Sequence, residues 1–574
     1  MSQRRLRRLL VAAVLIFLAI PTGAVQERGV PSTTGLVVSV SGIASDVGAA
    51  VLGRGGNAVD AAVATAFALA VTHPSAGNIG GGGFMIVRTP AGDATAFDYR
   101  ERAPGAATDS MYLGPDGQID RSLTAAGYLA PGVPGTVRGL ALAHQRFGKL
   151  PWKDVVLPAA GLAERGFVMS ASLARSLNGQ LVGEMGRFPA SVEAYGKPGG
   201  GQWAEGDTLR LADLGRTLMA IATDGPDAFY TGWIADRLAA DMKANGGIIT
   251  KEDLAAYQAK ERAPIRGTFL GHEIISMPPP SSGGVALVEM LNILEAFDLK
   301  AHERFSPWTL HLLIEARRRA YLDRARHLGD PDFADVPVAR LTSKEYAADL
   351  ARGIDQTKAS SSIELGRDIV TVTHDGESGE TTHFSVVDRD GMAVSSTYTL
   401  EGGYGSRVVV KGAGFLLNNE MGDFNKKPGE TNVTGDIGTP ANLIKPGKRM
   451  LSSMTPTIVT RGGRLVLVTG SPGGRTIINT VLDVVLNVVA YGMDGRAAVD
   501  APRMHHQWLP DRTTLEEDAV AESVLEKLRA LGHDVTLRGR QGDAHSIWFD
   551  PSTGTQYGVN DRRSADSGVG VVSR

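Results

Sequence analysis

The sequence predicts an α+β protein in which two β-sheets are buried between layers of helices. Three features predict it. Residues 381–388 and 392–399 are runs rich in β-branched side chains joined by Asp388-Arg389-Asp390-Gly391, the pattern of a β-hairpin. Further strands near 456–460, 464–469, 544–549 and 555–559 alternate with helical segments. Residues 476–491 form a long apolar helix, whose surface must cover the face of a sheet.

Composition sets the limits. A chain of 574 residues, 43% hydrophobic and 21% charged, is ample for a large core. A net charge of -3 and a pI near 6.5 give no drive toward nucleic acid or an anionic membrane. With no cysteine, disulfides, thiolate metal sites and a cysteine nucleophile are excluded. The 71 glycines follow no collagen-like period and point to tight turns and close backbone approaches.

Taken in order, the chain opens on the basic run Arg4-Arg5-Leu6-Arg7-Arg8, an apolar stretch over 9–20 and the small-residue exit Pro21-Thr22-Gly23-Ala24. This reads as an export signal, residues 1–24, cleaved near Ala24. Twelve apolar residues are short for a bilayer span, so a retained anchor is the alternative and membrane attachment follows only in that case. The mature protein is expected to be periplasmic or extracellular. Residues 25–35 read as an unstructured lead, and 57–70 as a helix apolar almost all round, hence buried. Glycines 80–83 precede a strand over 84–88; no Gly-Lys-Ser/Thr follows them, so close backbone packing is expected rather than a phosphate loop.

A short strand over 95–100 ends at Arg100, and a helix runs through 132–147. Residues 150–355 read as mainly helical, with helices over 152–165, 233–245, 284–297 and 308–328. On the last, Arg317-Arg318-Arg319, Arg324 and Arg326 are interleaved with Glu315 and Asp323, a salt-bridged face rather than a nucleic-acid surface. Residues 357–372 are polar and serine-rich, as in an exposed tail. His374, Glu377, Glu380 and His383 recur every three residues, but Gly376 and Gly379 break any helix that would align them, so no metal site is expected.

Thr381 opens the hairpin. A threonine hydroxyl is a weak nucleophile until a base sits beside it, and a chain-terminal threonine carries one, an α-amine titrating near ~8. That amine exists only if the Glu380-Thr381 bond is cut. On these residues alone an ordinary strand threonine remains the commoner alternative.

The surrounding motifs change the balance. Thr381-Thr382-His383-Phe384-Ser385, Leu416-Leu417-Asn418-Asn419-Glu420-Met421-Gly422-Asp423-Phe424, Arg449-Met450-Leu451-Ser452-Ser453-Met454-Thr455-Pro456-Thr457 and Gly470-Ser471-Pro472-Gly473-Gly474-Arg475 occur in order. Together with Arg100-Glu101-Arg102-Ala103-Pro104 and Asp561-Arg562-Arg563-Ser564, they resemble the γ-glutamyltranspeptidase (glutathione hydrolase) family. The resemblance implies a four-layer αββα sandwich of the N-terminal-nucleophile hydrolase type, self-cleaved between Glu380 and Thr381. A helix-rich large chain, 25–380, would supply Arg100 and form a heterodimer with a small chain, 381–574, that begins with Thr381.

It further implies that Thr381 is the nucleophile and that Thr399 hydrogen-bonds it. Arg100, Ser452 and Ser453 would hold the substrate's α-carboxylate, Glu420 and Asp423 its α-ammonium, and Gly473 and Gly474 the oxyanion. His505 and His506, in a further matching stretch, are expected to be structural. The chemistry requires no cofactor, takes a small γ-glutamyl donor such as glutathione, and passes the acyl group to water or to an amino acid or peptide amine. Two positions depart from better-known members: Glu401 stands for an asparagine at the substrate's amino end, and Thr434 replaces an aromatic in a lid-like loop, 428–446. Both bear on the balance of hydrolysis against transfer. The rivals are a related amidase acting on glutaryl-cephalosporins or poly-γ-glutamate, and an uncleaved, non-enzymatic binding protein. A glutaryl group lacks the α-amine that Glu420 and Asp423 would bind.

Overall fold

The computed structural model describes residues 27–370, 381–517 and 519–572. The segment read as an export signal lies outside them, as do Glu380, His374 and Glu377. Two seven-stranded sheets organise the protein. The first runs in the order Val30–Ser32, Gln556–Val559, Ser546–Phe549, Arg464–Thr469, Thr457–Arg461, His272–Ser276 and Ile265–Phe269. The second runs Gly568–Val571, Gly35–Ser39, Thr382–Asp388, Ala393–Thr399, Gly82–Arg88, Ala94–Asp98 and Lys260–Arg262.

The hairpin read from the sequence lies at the centre of the second sheet. Thr382 pairs with Tyr398 and Val387 with Ala393, while the outer sides of the two strands pair with Gly35–Ser39 and Gly82–Arg88. Its turn is built by Asp388, whose Oδ1 accepts from the N–H groups of Asp390 and Met392 at 3.0 Å, and by Gly391 at φ +86°. The period-two alternation of strands then sorts the side chains. Phe384, Val386, Val394 and Tyr398 join the core under the outer helices. His383, Ser385, Ser395 and Thr397 point to the other sheet, where Ser385 Oγ donates to the His545 carbonyl at 2.8 Å and Ser395 Oγ to that of Thr469 at 2.9 Å.

Helices cover both outer faces. Ala58–Thr72, capped at Asn57, is buried at every position between the second sheet and Trp152–Arg165; its alanines let it sit in that slot. Gly283–Leu294 and Thr476–Val489 cover the first sheet, with Pro307–His327 packed behind Gly283–Leu294. The order helix, sheet, sheet, helix is the αββα sandwich that the sequence implied.

Glycines 80–83 pack as expected. A Cβ at Gly80 would stand 2.1 Å from the Leu416 carbonyl oxygen, one at Gly81 2.1 Å from that of Thr399, and one at Gly83 2.4 Å from the Tyr398 Cβ. Four expectations need correction. The lead at 25–35 contains the strand Val30–Ser32, which pairs with Gln556–Val559, and runs directly into Gly35–Ser39, an inner strand of the other sheet. The helical region contains the edge strands Lys260–Arg262 and Ile265–Phe269, whose charged and polar residues read as surface, and His272–Ser276, which pairs on both sides. The basic run on Pro307–His327 is salt-bridged but faces inward: Arg317 pairs with Asp483 at 2.6 Å and Arg319 with Glu315 at 2.6 Å, all buried. The serine-rich stretch is docked, with Ser362 N donating to Asp511 at 2.9 Å and its carbonyl accepting from Trp508 Nε1 at 2.7 Å.

Candidate active site

A single cavity of about 950 Å³ is lined by Arg100, Thr381, Thr399, Glu401, Glu420, Asp423, Ser452, Ser453, Gly473 and Gly474. These are all the described residues that sequence reasoning singled out for the site. Thr381 immediately precedes the first hairpin strand and Thr399 ends the second, so the Thr382–Tyr398 register sets them opposite one another. Thr399 is held from two sides: Glu401 N–H donates to its hydroxyl at 2.7 Å, and Asn78 Nδ2 donates to its carbonyl at 2.8 Å. Glu401 achieves this at φ +79°, a backbone region that normally requires glycine.

Arg100 follows the strand Ala94–Asp98 and is 1% exposed. Its Nη1 lies 2.6 Å from Glu420 Oε2, its Nη2 contacts Asp423, and its Nε donates to the Met450 carbonyl at 3.3 Å. Glu420 and Asp423 bound one short 3₁₀ turn, which brings both carboxylates to the same guanidinium. Burial works against the charge on Arg100, but Glu420 and then Asp423 outweigh it and hold it protonated. Burial also drives Glu420 above the usual carboxylate range, with Arg100 opposing, and drives Glu401 up to about 8, with Asp423 adding to the effect. Without a substrate, therefore, one guanidinium is shared among more acids than it can neutralise.

Ser452 and Ser453 lie beside the segment that leads into Gly283–Leu294. Ser452 N donates to the Pro280 carbonyl at 3.0 Å, and Ser282 N donates to the Ser452 carbonyl at 2.8 Å. Gly473 and Gly474 have φ of +125° and +55° and are followed at once by the helix Thr476–Val489. Thr476 Oγ1 donates to the Gly473 carbonyl at 2.8 Å, so that carbonyl is turned into the helix entry. A helix start of this kind favours negative charge.

Several residues of the site were not singled out beforehand. Asn418 pins the acid turn to the glycine loop, its Nδ2 donating to the Gly80 and Gly132 carbonyls at 2.9 and 2.8 Å. Asn419 accepts from Gly402 N at 2.9 Å and contacts the Glu401 carboxylate. Arg324, read as part of a salt-bridged face, lines the cavity and donates to Ser453 Oγ at 3.1 Å. Their signal was adjacency, Asn418 and Asn419 preceding Glu420 directly; Arg324 had none, because a helical arginine does not announce its direction.

His383, the described member of the three-residue repeat, sits between Thr397 Oγ1 at 2.8 Å and Ser385 Oγ at 3.1 Å. Among the described residues, His311, Glu315 and His533 bring ligand atoms within 4.8 Å of each other. Glu315 is already bound by Arg318 and Arg319, which hold it down to about 2, so the trio reads as an ion-pair network. His505 bonds Asn479 and His506 bonds Thr513, as structural histidines do.

The double sheet between helices, with its cavity at the head of the central hairpin, defines a fold of the N-terminal-nucleophile hydrolase type. The whole-chain likeness agrees: a cephalosporin acylase from Bacillus halodurans superposes with a TM-score of 0.82 at 27% identity, covering 95% of this chain and 97% of that one. The family description Gamma-glutamyltranspeptidase matches residues 44–571, and the chain belongs to that family. Its sequence is 47% identical to a glutathione hydrolase proenzyme from Escherichia coli K12, covering 93% of this chain and 91% of the relative. It is 44% identical to another from Pseudomonas sp. strain A14, covering 98% of both.

Proposed function

We propose that the protein is a self-processing γ-glutamyltransferase and glutathione hydrolase with Thr381 as its nucleophile. The observation that carries this reading is one cavity holding both a receptor for an amino-acid head group and a strand-leading threonine. An incoming α-carboxylate would take over Arg100, with Ser452 and Ser453 beside it, while the α-ammonium would sit against Asp423 and favour the ionised forms of Glu420 and Glu401. That exchange places opposite charges on each partner and relieves the crowding of acids around one guanidinium.

In processing, the Thr381 hydroxyl would attack the Glu380 carbonyl and break the amide, giving an ester and a free Thr381 amine; water then opens the ester into the Glu380 carboxylate and the Thr381 hydroxyl. In turnover the same oxygen would attack the γ-carbonyl, its proton passing through that amine to the departing amine. Negative charge on the carbonyl oxygen would fall on the N–H groups at Gly473 and Gly474; one such donor is typically worth about 3 kcal/mol in the transition state. Water or a second amine then cleaves the Thr381 ester. The large chain would be residues 25–380 and the small chain 381–574, the two remaining a heterodimer. We further propose export under the segment 1–24; among the described residues no helix is long and apolar enough to cross a membrane.

The cephalosporin acylase likeness keeps an amidase reading in view, but the acids around Arg100 favour a donor that carries an α-amine. N-terminal sequencing of the smaller band of purified protein tests the proposal, and should read Thr-Thr-His-Phe-Ser. Thr381→Ala should leave one unbroken chain with no γ-glutamyl transfer. Activity on glutathione from that unbroken chain would overturn it.

A further inference from the structure

The cavity extends past the amino-acid head-group receptor to a wall of different charge. That wall includes a small three-stranded sheet, Met504–His505, Thr513–Glu516 and Val535–Arg538, in which the last two strands run parallel. His505, Gln507, Arg512, Thr514 and Arg538 from this region line the cavity, and Arg475 joins them from the position directly after Gly474. Among the described residues, the acids of this wall are engaged: Asp511 with Arg318, Asp534 with Arg512 at 2.8 Å, and Asp436, next to Gly435, with Arg121 at 2.6 Å. Arg475 leans across to the Gly435 carbonyl at 3.3 and 3.4 Å, the long edge of a hydrogen bond. Burial, then the charges of Arg317, Arg538 and Arg475, hold His505 down to about 3, so the positive character of the wall comes from its arginines.

The cavity is therefore acid-rich around Arg100 and cationic beyond the Gly473–Gly474 turn. A γ-glutamyl peptide has the matching polarity: an ammonium at its head and, past the reacting carbonyl, a peptide ending in a free carboxylate. Two extended residues span at most about 7 Å, within the reach of an arginine placed next to the oxyanion turn. Planar guanidinium groups suit a carboxylate there better than an ammonium would.

We propose that Arg475 and Arg538 form a subsite for the C-terminal carboxylate of the peptide that leaves, or accepts, the γ-glutamyl group. The inference rests on the transferase reading above and names what recognises the far end of its substrates.

The test compares paired substrates in the full-length, processed protein. Glutathione is set against its C-terminal amide as donor, and glycylglycine against glycylglycinamide as acceptor, with kcat/KM as the readout. The wild-type protein should prefer each acid over its amide by about tenfold, the scale of one charge-assisted hydrogen bond. In Arg475→Gln and Arg538→Gln the ratio should fall toward one, chiefly through KM. Because the readout is a ratio within one variant, a general loss of activity or fold does not imitate it. Loss of preference in the donor pair alone would assign the subsite to the leaving peptide, and in the acceptor pair alone to the incoming one. A wild-type protein indifferent to the acid, or variants that retain the full preference, would overturn the subsite while leaving the transferase reading intact. Failure of the wild-type protein on every γ-glutamyl donor would instead overturn that reading and this one together.

Discussion

Glu401 combines two unusual properties at one position. Its positive φ directs its N–H to the Thr399 hydroxyl, and its carboxyl group is pushed up to about 8 by burial and by Asp423. An acid raised in this way holds a proton in the folded protein that the unfolded chain releases once the pH passes its ordinary value of 4.5. Stability from this group is therefore full at low pH and declines as the pH climbs from 4.5 to 8. Glu401→Gln should flatten that decline: thermal melts at pH 5.5 and pH 8 should lie closer together than in the wild-type protein. An unchanged gap would mean that Glu401 is ionised throughout. Gly81 makes a steric prediction. Because a methyl there meets the Thr399 carbonyl oxygen at 2.1 Å, Gly81→Ala should cost about 1–3 kcal/mol in denaturant unfolding and displace Thr399. A variant as stable as the wild-type protein would show that the loop can yield.

Among the elements, the loop 428–446 borders the cavity and is tied down by polar contacts. Arg121 Nη2 donates to both Asp436 oxygens at 2.6 and 2.7 Å, and Asn432 Nδ2 donates to Asp436 at 3.0 Å. Arg121 is partly exposed, so the pair is worth about 1 kcal/mol. Arg121→Ala should accordingly raise opening of the loop about fivefold, read as faster amide hydrogen exchange over 428–438. Equal exchange would remove the pair from loop closure. Thr434 donates its hydroxyl to Asn432 at 2.7 Å, so the loop's polar contacts are partly internal.

How much of this was legible in the sequence differs from element to element. The hairpin declared itself because β-branched runs flank a turn with an aspartate and a glycine at the positions that need them. Thr476–Val489 declared itself by a 14-residue apolar stretch. The strands over 260–276 did not, since Lys260-Glu261-Arg262 carries the charges of a sheet edge and reads as surface. The inward direction of the arginines of Pro307–His327 was not legible for a related reason: pairing with Asp483 and Glu315 satisfies their charge inside the protein, and that partnership spans more than 150 residues in the case of Arg317. Within the site, residue types and motifs found the ten lining positions, while the residues that orient them, Asn418, Asn419 and Arg324, emerged only from the folded geometry.

At the scale of the molecule, the two proposed chains are woven together rather than laid side by side. Thr382–Asp388 and Ala393–Thr399 fill the middle of a sheet whose other strands, Gly568–Val571 apart, come from before residue 371, and Val30–Ser32 and His272–Ser276 pair with strands of the later segment. Processed protein should run as a single species on size exclusion in 1 M salt and split into two bands only under denaturing conditions. Separation of the fragments by salt alone would contradict this interleaving. Surface ion pairs are screened at that ionic strength, but ladder hydrogen bonds and buried apolar faces are not.

The position of the hairpin has a consequence for biosynthesis. A central pair of strands cannot be slotted into a finished sheet, so the continuous precursor serves as a template that brings distant stretches of one polypeptide to the same assembly at unit stoichiometry. Once that assembly has set, its continuity is dispensable, and a covalent bond essential for making the protein becomes the bond it can give up to begin working. Genes encoding the halves separately should yield active material only when the nascent halves meet before either has collapsed.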